Sequence, residues 1–326
     1  MSSSLLSLRG LVVGLRRGHE TSPIVRGVSL DVAPGERVGV VGESGSGKTL
    51  TMLSVLRLLA SPPLDILDGE IVFNGENLTS ASEHRLRQIR GSAVAMVYQD
   101  PMTALNPLLH VGYQIVEALR AHGVDATQAR EKARDALRQV GLTDPERVEK
   151  SYPHELSGGM IQRVMIAMAL AASPRLLIAD EPTTALDVTI QQQILDLIVD
   201  LQATTSMAVL WVTHDLGVVA RLVDRVIVMY AGRIVEDAPT KELFRRPSHP
   251  YTAALLASLP GTQHSHRSLL HQIGGNPPDP TRLDSGCPFR ARCSVAIDQC
   301  AHEEPPLLIR GESRAACWRE PDAWQR

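Results

Sequence analysis

The segment 42–49 carries the residues best suited to hold phosphate. It reads Gly42-Glu43-Ser44-Gly45-Ser46-Gly47-Lys48-Thr49 and fits the pattern G-x-x-x-x-G-K-[ST], after an apolar run and before helically spaced apolar residues. Such glycines let backbone N–H groups close around a β-phosphate, while Lys48 supplies a positive charge and the Thr49 hydroxyl is a ligand for Mg²⁺. The segment therefore predicts a site for a nucleoside triphosphate and its magnesium ion.

A pair of carboxylates is the second candidate for chemistry. Asp180 and Glu181 directly follow the apolar run 176–179, which has the pattern of a buried strand. Asp180 at the strand end is placed to hold Mg²⁺, and Glu181 is placed to polarise an attacking water, as phosphoryl transfer requires. Two solvated acids at a strand end are the alternative interpretation.

Two single polar residues also end predicted strands. Gln99 follows the strand 94–98, and His214 follows the strand 209–213. Ligands of open α/β sheets gather at the carboxyl ends of strands, so both side chains could face one nucleotide. A lone Gln or His at such a position is more commonly an ordinary turn residue, and position alone does not decide.

A second anion-binding device lies between the phosphate loop and the acidic pair. In Leu156-Ser157-Gly158-Gly159-Met160, two glycines expose successive N–H groups, a hydroxyl stands beside them, and an apolar helix follows. One molecule does not need two such devices for one nucleotide. Taken alone, the segment reads as an ordinary Ser-Gly-Gly turn that caps a helix.

Strands alternating with helices are expected to position these residues. The apolar patterns predict strands at 28–32, 38–41, 94–98, 176–179, 209–212, 226–229 and 234–235, and a hairpin at 69–78 around an Asn74-Gly75 turn. Helical periodicity takes over between about 107 and 172, with Gly141 as a C-cap. We therefore expect an α/β sheet with a helical insertion in a domain at 1–240, and a loop-rich tail at 241–326.

Composition narrows the function classes. The 326 residues carry a formal charge of −3, contain 3% aromatic residues and form no basic stripe, which argues against nucleic acid as a partner. The longest apolar stretch, 164–172, is too short to cross a bilayer, and no signal peptide is recognised. The expectation is a cytoplasmic chain whose membrane association depends on a partner.

The four cysteines lie together near the end of the sequence, as Cys287, Cys293, Cys300 and Cys317. Their C-x₅-C-x₆-C-x₁₆-C spacing lacks the close pairs of structural zinc sites, and disulfides are disfavoured in a cytoplasmic chain. Four widely spaced thiolates are compatible with a 4Fe–4S cluster, which the spacing favours over zinc. Four free thiols remain the alternative.

Taken in order, these motifs resemble the ATPase subunit of ATP-binding cassette (ABC) transporters over about residues 5–240. The resemblance implies a P-loop NTPase (RecA-like) core with an antiparallel β subdomain and a helical insertion. Family members bind two ATP molecules between two cassettes arranged head to tail. Ser157 and Gly159 would then contact the γ-phosphate held by the partner, and Asp187 would cross the interface. Catalytic roles are implied for Lys48, Gln99, Glu181 and His214, with Mg²⁺ held by Thr49, Gln99 and Asp180.

A finer resemblance points to importers of oligopeptides and dipeptides. It rests on the stretches 98–107 and 156–167, on His249-Pro250-Tyr251-Thr252, and on a Cys-Pro-Phe-x-x-x-Cys tail like the one that carries a 4Fe–4S cluster in some members. It implies a peripheral subunit at the cytoplasmic face of the membrane. The implied partners are a related ATPase subunit, two permease subunits and an extracytoplasmic solute-binding protein. Import of nickel or another small solute is the alternative, followed by a soluble cassette protein.

One departure from the family pattern concerns adenine. The family usually stacks the base on an aromatic side chain upstream of the phosphate loop, whereas residues 9–30 contain no Phe, Tyr or Trp. We expect Arg16, Arg17 or His19 to stack on the base instead.

Overall fold

The computed structural model describes residues 4–18, 20–100, 104–183, 187–259 and 273–324. It divides into two units. The first contains Met1–Ala33, Arg37–Thr79 and Trp211–Arg326, and the second contains Pro34–Glu36 and Ser80–Leu210. Among the described residues, no helix has both the length and the apolar character needed to cross a membrane.

A four-stranded antiparallel sheet forms one part of the first unit. Its strands are β1 (Leu6–Arg17), β2 (Glu20–Val32), β4 (Leu64–Phe73) and β5 (Glu76–Asn77), in the order β2-β1-β4-β5. Alternate side chains are buried in the second half of β2, as in a sheet with one face covered, whereas buried residues of β1 occur in short groups. Asn74 and Gly75 have φ values of 48° and 81°, so the predicted hairpin turn is confirmed.

The other strands of the first unit occur in the order β11-β12-β10-β9-β3. They are β3 (Arg37–Val41), β9 (Arg225–Tyr230), β10 (Arg233–Pro239), β11 (Leu308–Arg310) and β12 (Ser313–Ala315). Strand β3 is buried and runs parallel to β9, whereas β10 is antiparallel to both β9 and β12. The helices of this unit are α1 (Lys48–Val55), α8 (Leu216–Leu222), α9 (Thr240–Arg245), α10 (Pro250–Ala257) and α11 (Gln299–His302).

The second unit contains β6 (Val94–Val97), β7 (Leu176–Asp180) and the first half of β8 (Ala208–Thr213). Between β6 and β7 lie α3 (Val111–Ala121), α4 (Ala126–Gln139), α5 (Pro145–Glu149) and α6 (Gly158–Leu170), which form the helical segment that periodicity predicts. The other helices that the described residues of this unit form are α2 (Glu83–Ile89) and α7 (Val188–Thr205). Gly141 follows α4 with a φ of 75°, so the predicted glycine cap is confirmed.

Strands β6 and β7 run side by side in parallel, with Val97 opposite Ala179. Their carboxyl ends therefore lie at one edge of the sheet. This register brings the residues that follow the two strands together, and these are the polar residues singled out by the sequence.

Candidate active-site residues

The phosphate loop begins with a sharp turn that only glycine can make. Gly42, directly after β3, has a φ of 152°, and a Cβ atom there would lie 2.2 Å from the carbonyl oxygen of Met229. The loop continues through exposed Ser44 and Gly45 and ends where Gly47 begins α1. Backbone N–H groups at the start of this helix form a ready site for an anion.

Polar groups inside the loop match the needs of a phosphate. The Lys48 ammonium group donates hydrogen bonds to the carbonyl oxygens of Gly42 and Glu43, at 2.7 and 3.0 Å, so it lies folded over the loop. The buried hydroxyl of Ser46 has no hydrogen-bond partner within the described residues. Thr49, in the first turn of α1, is exposed. A cationic group, an orphaned hydroxyl and a helix N-terminus together fit a bound phosphate.

Glu43 is the loop residue that sequence reasoning characterised least. Its N–H donates to the hydroxyl of Tyr251 at 2.9 Å, and its carboxylate accepts two hydrogen bonds from Arg292, at 2.6 and 2.9 Å. Tyr251 lies in the stretch that suggested a peptide importer, but Arg292 belongs to no pattern visible in the sequence. Only its neighbour Cys293 could have drawn attention to that position.

In the second unit, the structure brings Gln99 and Glu181 together. The Gln99 amide donates to the Glu181 carboxylate at 3.3 Å, as the parallel register of β6 and β7 predicts. Glu181 has a φ of 47°, a left-handed conformation that is rare for a residue with a side chain. Asp180 is buried at the end of β7. A strained backbone beside a buried carboxylate is typical of a functional position.

The second predicted anion-binding segment, residues 156–160, which we call the signature segment, includes the exposed start of α6. The Ser157 hydroxyl caps the helix by accepting from the Met160 N–H at 3.4 Å, and both Ser157 and Gly158 are exposed. A Cβ atom at Gly159 would lie 3.0 Å from the Cγ2 atom of Ile190, so α6 and α7 begin side by side. Both the capping interpretation and an exposed N-terminus that could receive an anion fit this geometry.

Asp187 and His214 both stand at the starts of helices. The Asp187 carboxylate caps α7 by accepting from the Ile190 N–H at 2.9 Å, and the residue is exposed. His214, also exposed, follows β8 in the first unit and directly precedes Asp215, which caps α8. The structure thus places each of the two residues next to the first turn of a helix.

The four cysteines are present as free thiols, two of them buried. Burial, together with a smaller contribution from the neighbouring thiols, raises the pKa of Cys287 to about 12 and that of Cys317 to about 11. The thiols therefore lie within electrostatic reach of one another. Yet no group of three or more His, Cys, Asp or Glu side chains in the described ranges could hold a metal ion. The expected metal centre at the cysteines is thus not supported by this arrangement.

The arginines expected near adenine occupy the end of β1. Arg16 forms an exposed ion pair with Asp65 at 3.0 Å on the neighbouring strand β4. His19 lies outside the described residues. Stacking on the base remains a prediction for Arg16 and Arg17.

Two family descriptions match different parts of the chain. Residues 25–184 match the ABC transporter family, and residues 235–300 match the C-terminal region of oligopeptide/dipeptide transporters. The first match contains the phosphate loop, the signature segment and the acidic pair. The second contains Tyr251 and three of the four cysteines.

Similar proteins cover nearly the whole chain. A probable peptide ABC transporter ATP-binding protein, y4tR of Sinorhizobium fredii, is 51% identical over 97% of this chain and 95% of its own length. The oligopeptide transport ATP-binding protein AppD of Bacillus subtilis is 47% identical over 96% of this chain and 95% of its own. Among solved structures, a dimer of the ATP-binding cassette MJ0796 with ADP and phosphate has a TM-score of 0.64. It is 28% identical and covers 72% of this chain and 98% of its own. The predicted P-loop NTPase fold is thereby confirmed, and this chain belongs to the ATPase subunits of ABC transporters, in the oligopeptide/dipeptide transporter family.

Proposed function

We propose that this chain hydrolyses ATP to drive the uptake of dipeptides and oligopeptides across the cell membrane. The observation that carries the proposal is the C-terminal region at 235–300, which matches oligopeptide/dipeptide transporters and lies outside the ATPase motifs. The names of y4tR and AppD, which the chain resembles over almost its full length, point the same way. A dipeptide transport ATP-binding protein of Bacillus subtilis, DppD, is also 46% identical over 96% of the chain.

For phosphate binding, we assign the main role to the loop 42–49. Lys48, already turned toward the loop carbonyls, neutralises the β- and γ-phosphate oxygens, and the N–H groups at the start of α1 complete the cradle. The oxygens of Thr49, Gln99 and Asp180 are the hard donors that Mg²⁺ prefers, and the ion neutralises charge on the phosphates. The same loop serves binding and turnover, because the charge it stabilises grows during phosphoryl transfer.

For the chemical step, we assign the general base to Glu181. Its carboxylate orients and polarises the attacking water, and the 3.3 Å hydrogen bond from Gln99 holds that carboxylate in place. Gln99 is exposed beyond β6, so it is also available to a permease subunit. His214 is assigned to the γ-phosphate. These roles follow the order of the motifs and the contacts within each unit.

The exposed start of α6 supports a partner cassette. Ser157 and Gly158 present a hydroxyl and helix N–H groups to the outside, which is the chemistry that a γ-phosphate held by another subunit needs. Asp187, exposed at the adjacent start of α7, completes the same surface. We propose a heterodimer with a related ATPase subunit, bound to two permease subunits at the cytoplasmic face of the membrane and served by an extracytoplasmic solute-binding protein.

We assign residues 1–240 to the ATP-binding domain and residues 241–326 to a tail that holds a 4Fe–4S cluster through Cys287, Cys293, Cys300 and Cys317. The occurrence of all four cysteines between positions 287 and 317, within a Cys-Pro-Phe-x-x-x-Cys tail, supports a shared role. A cluster of several iron and sulfide ions spans a wider cage than a single metal ion. Anaerobically purified protein should be brown, with iron and sulfide in equal amounts. A colourless, iron-free sample would end the cluster proposal, and zinc in its place would favour the alternative.

Transport in proteoliposomes tests the proposed function. The chain is assembled with its ATPase partner, permeases and binding protein, and uptake of labelled dipeptides, longer peptides and Ni²⁺ is measured with ATP inside or outside the vesicles. We expect ATP-dependent accumulation of peptides alone. Accumulation of Ni²⁺ without peptides would contradict the peptide assignment while leaving the ATPase assignment intact.

A further inference from the structure

An ion pair connects the cysteine-bearing C-terminal region, residues 241–326, to the phosphate loop. Two nitrogens of the Arg292 guanidinium group donate to the two carboxylate oxygens of Glu43, at 2.6 and 2.9 Å, across 249 positions of sequence. The Arg292 side chain is only 4% exposed and that of Glu43 is 26% exposed. A bidentate pair shielded from water is much stronger and more directional than a surface salt bridge.

Other contacts hold the Arg292 side chain at this place. Its guanidinium group lies 5.8 Å from the centre of the Tyr230 ring and donates to the Tyr230 hydroxyl at 3.3 Å. It also donates to the carbonyl oxygen of Gly274 at 2.9 Å. Phe289, in the same segment, packs edge-on against Tyr230 with ring centres 5.3 Å apart. The position of Arg292 is therefore set by packing and not by its attraction to Glu43 alone.

A second contact reaches the same loop residue from α10. The fully buried Tyr251 accepts a hydrogen bond from the Glu43 N–H at 2.9 Å. Tyr251 is itself fixed, because its own N–H donates to Nδ1 of buried His249 at 3.0 Å and its ring packs on Phe289. Burial raises the pKa of Tyr251 well above its usual value, so its hydroxyl stays neutral.

These contacts restrain every polar group of Glu43. Its N–H is bound to Tyr251, its carbonyl oxygen to Lys48 and its carboxylate to Arg292. Glu43 immediately follows the sharp turn at Gly42, where the chain leaves β3 and enters the phosphate loop. A loop that is already held in its binding conformation loses less entropy when the ligand arrives.

We propose that Arg292 and Tyr251 are positioning residues for ATP, through which the cysteine-bearing C-terminal region keeps the phosphate loop in its binding conformation. In this proposal both residues act through Glu43 and not through contacts with the nucleotide. The two residues affect the affinity for ATP. The rate at which bound ATP is hydrolysed depends on other residues. A change that disrupts the packing of the C-terminal region would then disturb the conformation of the phosphate loop and weaken ATP binding.

The test compares Arg292→Gln with Arg290→Gln in the full-length chain. Arg290 lies in the same 3₁₀ turn, but its ion pair is made with Asp284 inside the C-terminal region, at 3.2 Å. Since hydrogen bonds between charged groups are the strong ones, we expect the Kd for a fluorescent ATP analogue and the KM for ATP to rise about tenfold in Arg292→Gln. We expect kcat to stay within about twofold, and Arg290→Gln to match the wild type, on the same grounds. Equal losses in both variants, or an unchanged Kd in Arg292→Gln, would overturn the proposal.

Two further variants separate positioning from folding. Tyr251→Phe removes one oxygen and keeps the ring, so it should raise the Kd severalfold with little change in thermal unfolding. In a double-mutant cycle, Glu43→Gln and Arg292→Gln should weaken ATP binding by less together than the sum of their separate effects, because they break the same pair. Additive losses would mean that Arg292 does not act through Glu43, and the proposal would fail.

Discussion

We proposed that the exposed start of α6 binds the γ-phosphate held by a partner cassette. One substitution can test this proposal, because it should stabilise the fold and yet impair ATP hydrolysis. Gly158 is exposed, lies in the first turn of α6, and has no atom within 4 Å of the place where a Cβ atom would be. Glutamate in this position has room for its side chain. It also places a negative charge at the surface that is proposed to meet the phosphate of a partner subunit.

The two expected effects have opposite signs. Replacing glycine by a better helix former stabilises a helix by about 0.5–1 kcal/mol, and a carboxylate near the helix N-terminus adds about 0.3–1 kcal/mol. In contrast, a carboxylate about 4 Å from a phosphate charge is repelled by about 4 kcal/mol at an effective dielectric constant of about 20. Gly158→Glu should therefore leave the chain as stable as before or slightly more so, yet lower the ATPase rate of the assembled transporter more than a hundredfold.

The assay measures thermal unfolding, ATP affinity of the isolated chain, and ATP hydrolysis by the assembled transporter. Gln128→Glu is the control, because it adds the same charge to the exposed first turn of α4. We expect normal ATP affinity in both variants and loss of hydrolysis in Gly158→Glu alone. If Gly158→Glu hydrolysed ATP at the normal rate, or lost its own ATP affinity, the start of α6 would not serve a partner's nucleotide.

Two further predictions follow from buried groups. Gly42→Ala forces a Cβ atom to within 2.2 Å of the Met229 carbonyl oxygen, so the loop must shift and ATP affinity should fall more than tenfold; normal binding by calorimetry would contradict this reading of the loop. Burial raises the pKa of Glu236 from 4.5 to about 7, despite hydrogen bonds from the N–H groups of Ser248 and His249. The folded state therefore keeps this proton up to higher pH than the unfolded state. As the pH rises from about 4.5 to 7, the free energy of unfolding should fall by about 3 kcal/mol, because only the unfolded state gains by releasing the proton. Glu236→Gln should flatten that part of the pH–stability profile, and an unchanged slope in urea unfolding would show that Glu236 is not its source.

The motif-bearing elements were the most predictable part of the fold. Strands β3, β6 and β7 are short apolar runs bounded by turn residues, and the polar residues after them mark their carboxyl ends. The hairpin turn at Asn74 was recognisable because few dipeptides favour two successive positive φ values. In each of these cases local chemistry alone determines the structure.

The N-terminal and C-terminal strands were less predictable. Strand β1 contains Arg9, Gly10 and Gly14 among its apolar residues, and register shifts interrupt its pairing with β2, so its alternation is broken. Strand β12 has only three residues and is defined by its pairing with β10, with Ala315 opposite Glu236. Such strands depend on a distant neighbour that periodicity in one sequence cannot reveal.

The candidate site shows the same division. Lys48 and Glu181 stand in motifs whose spacing follows from the chemistry of phosphate. Arg292 contacts Glu43 only because the C-terminal region folds back on the loop, and one arginine among many carries no signal of that contact. The hydrogen bond between Gln99 and Glu181 lies between these extremes, since it follows once β6 and β7 are known to be parallel neighbours.

The most direct test of the account is ATP turnover by the assembled transporter carrying Glu181→Gln. This substitution keeps the size of the side chain and removes the base. Steady-state hydrolysis should fall by at least a hundredfold, in line with the usual contribution of a general base, while ATP affinity stays normal and the nucleotide-bound dimer accumulates. Undiminished hydrolysis in this variant would contradict the role assigned to Glu181 and, with it, the proposed mechanism.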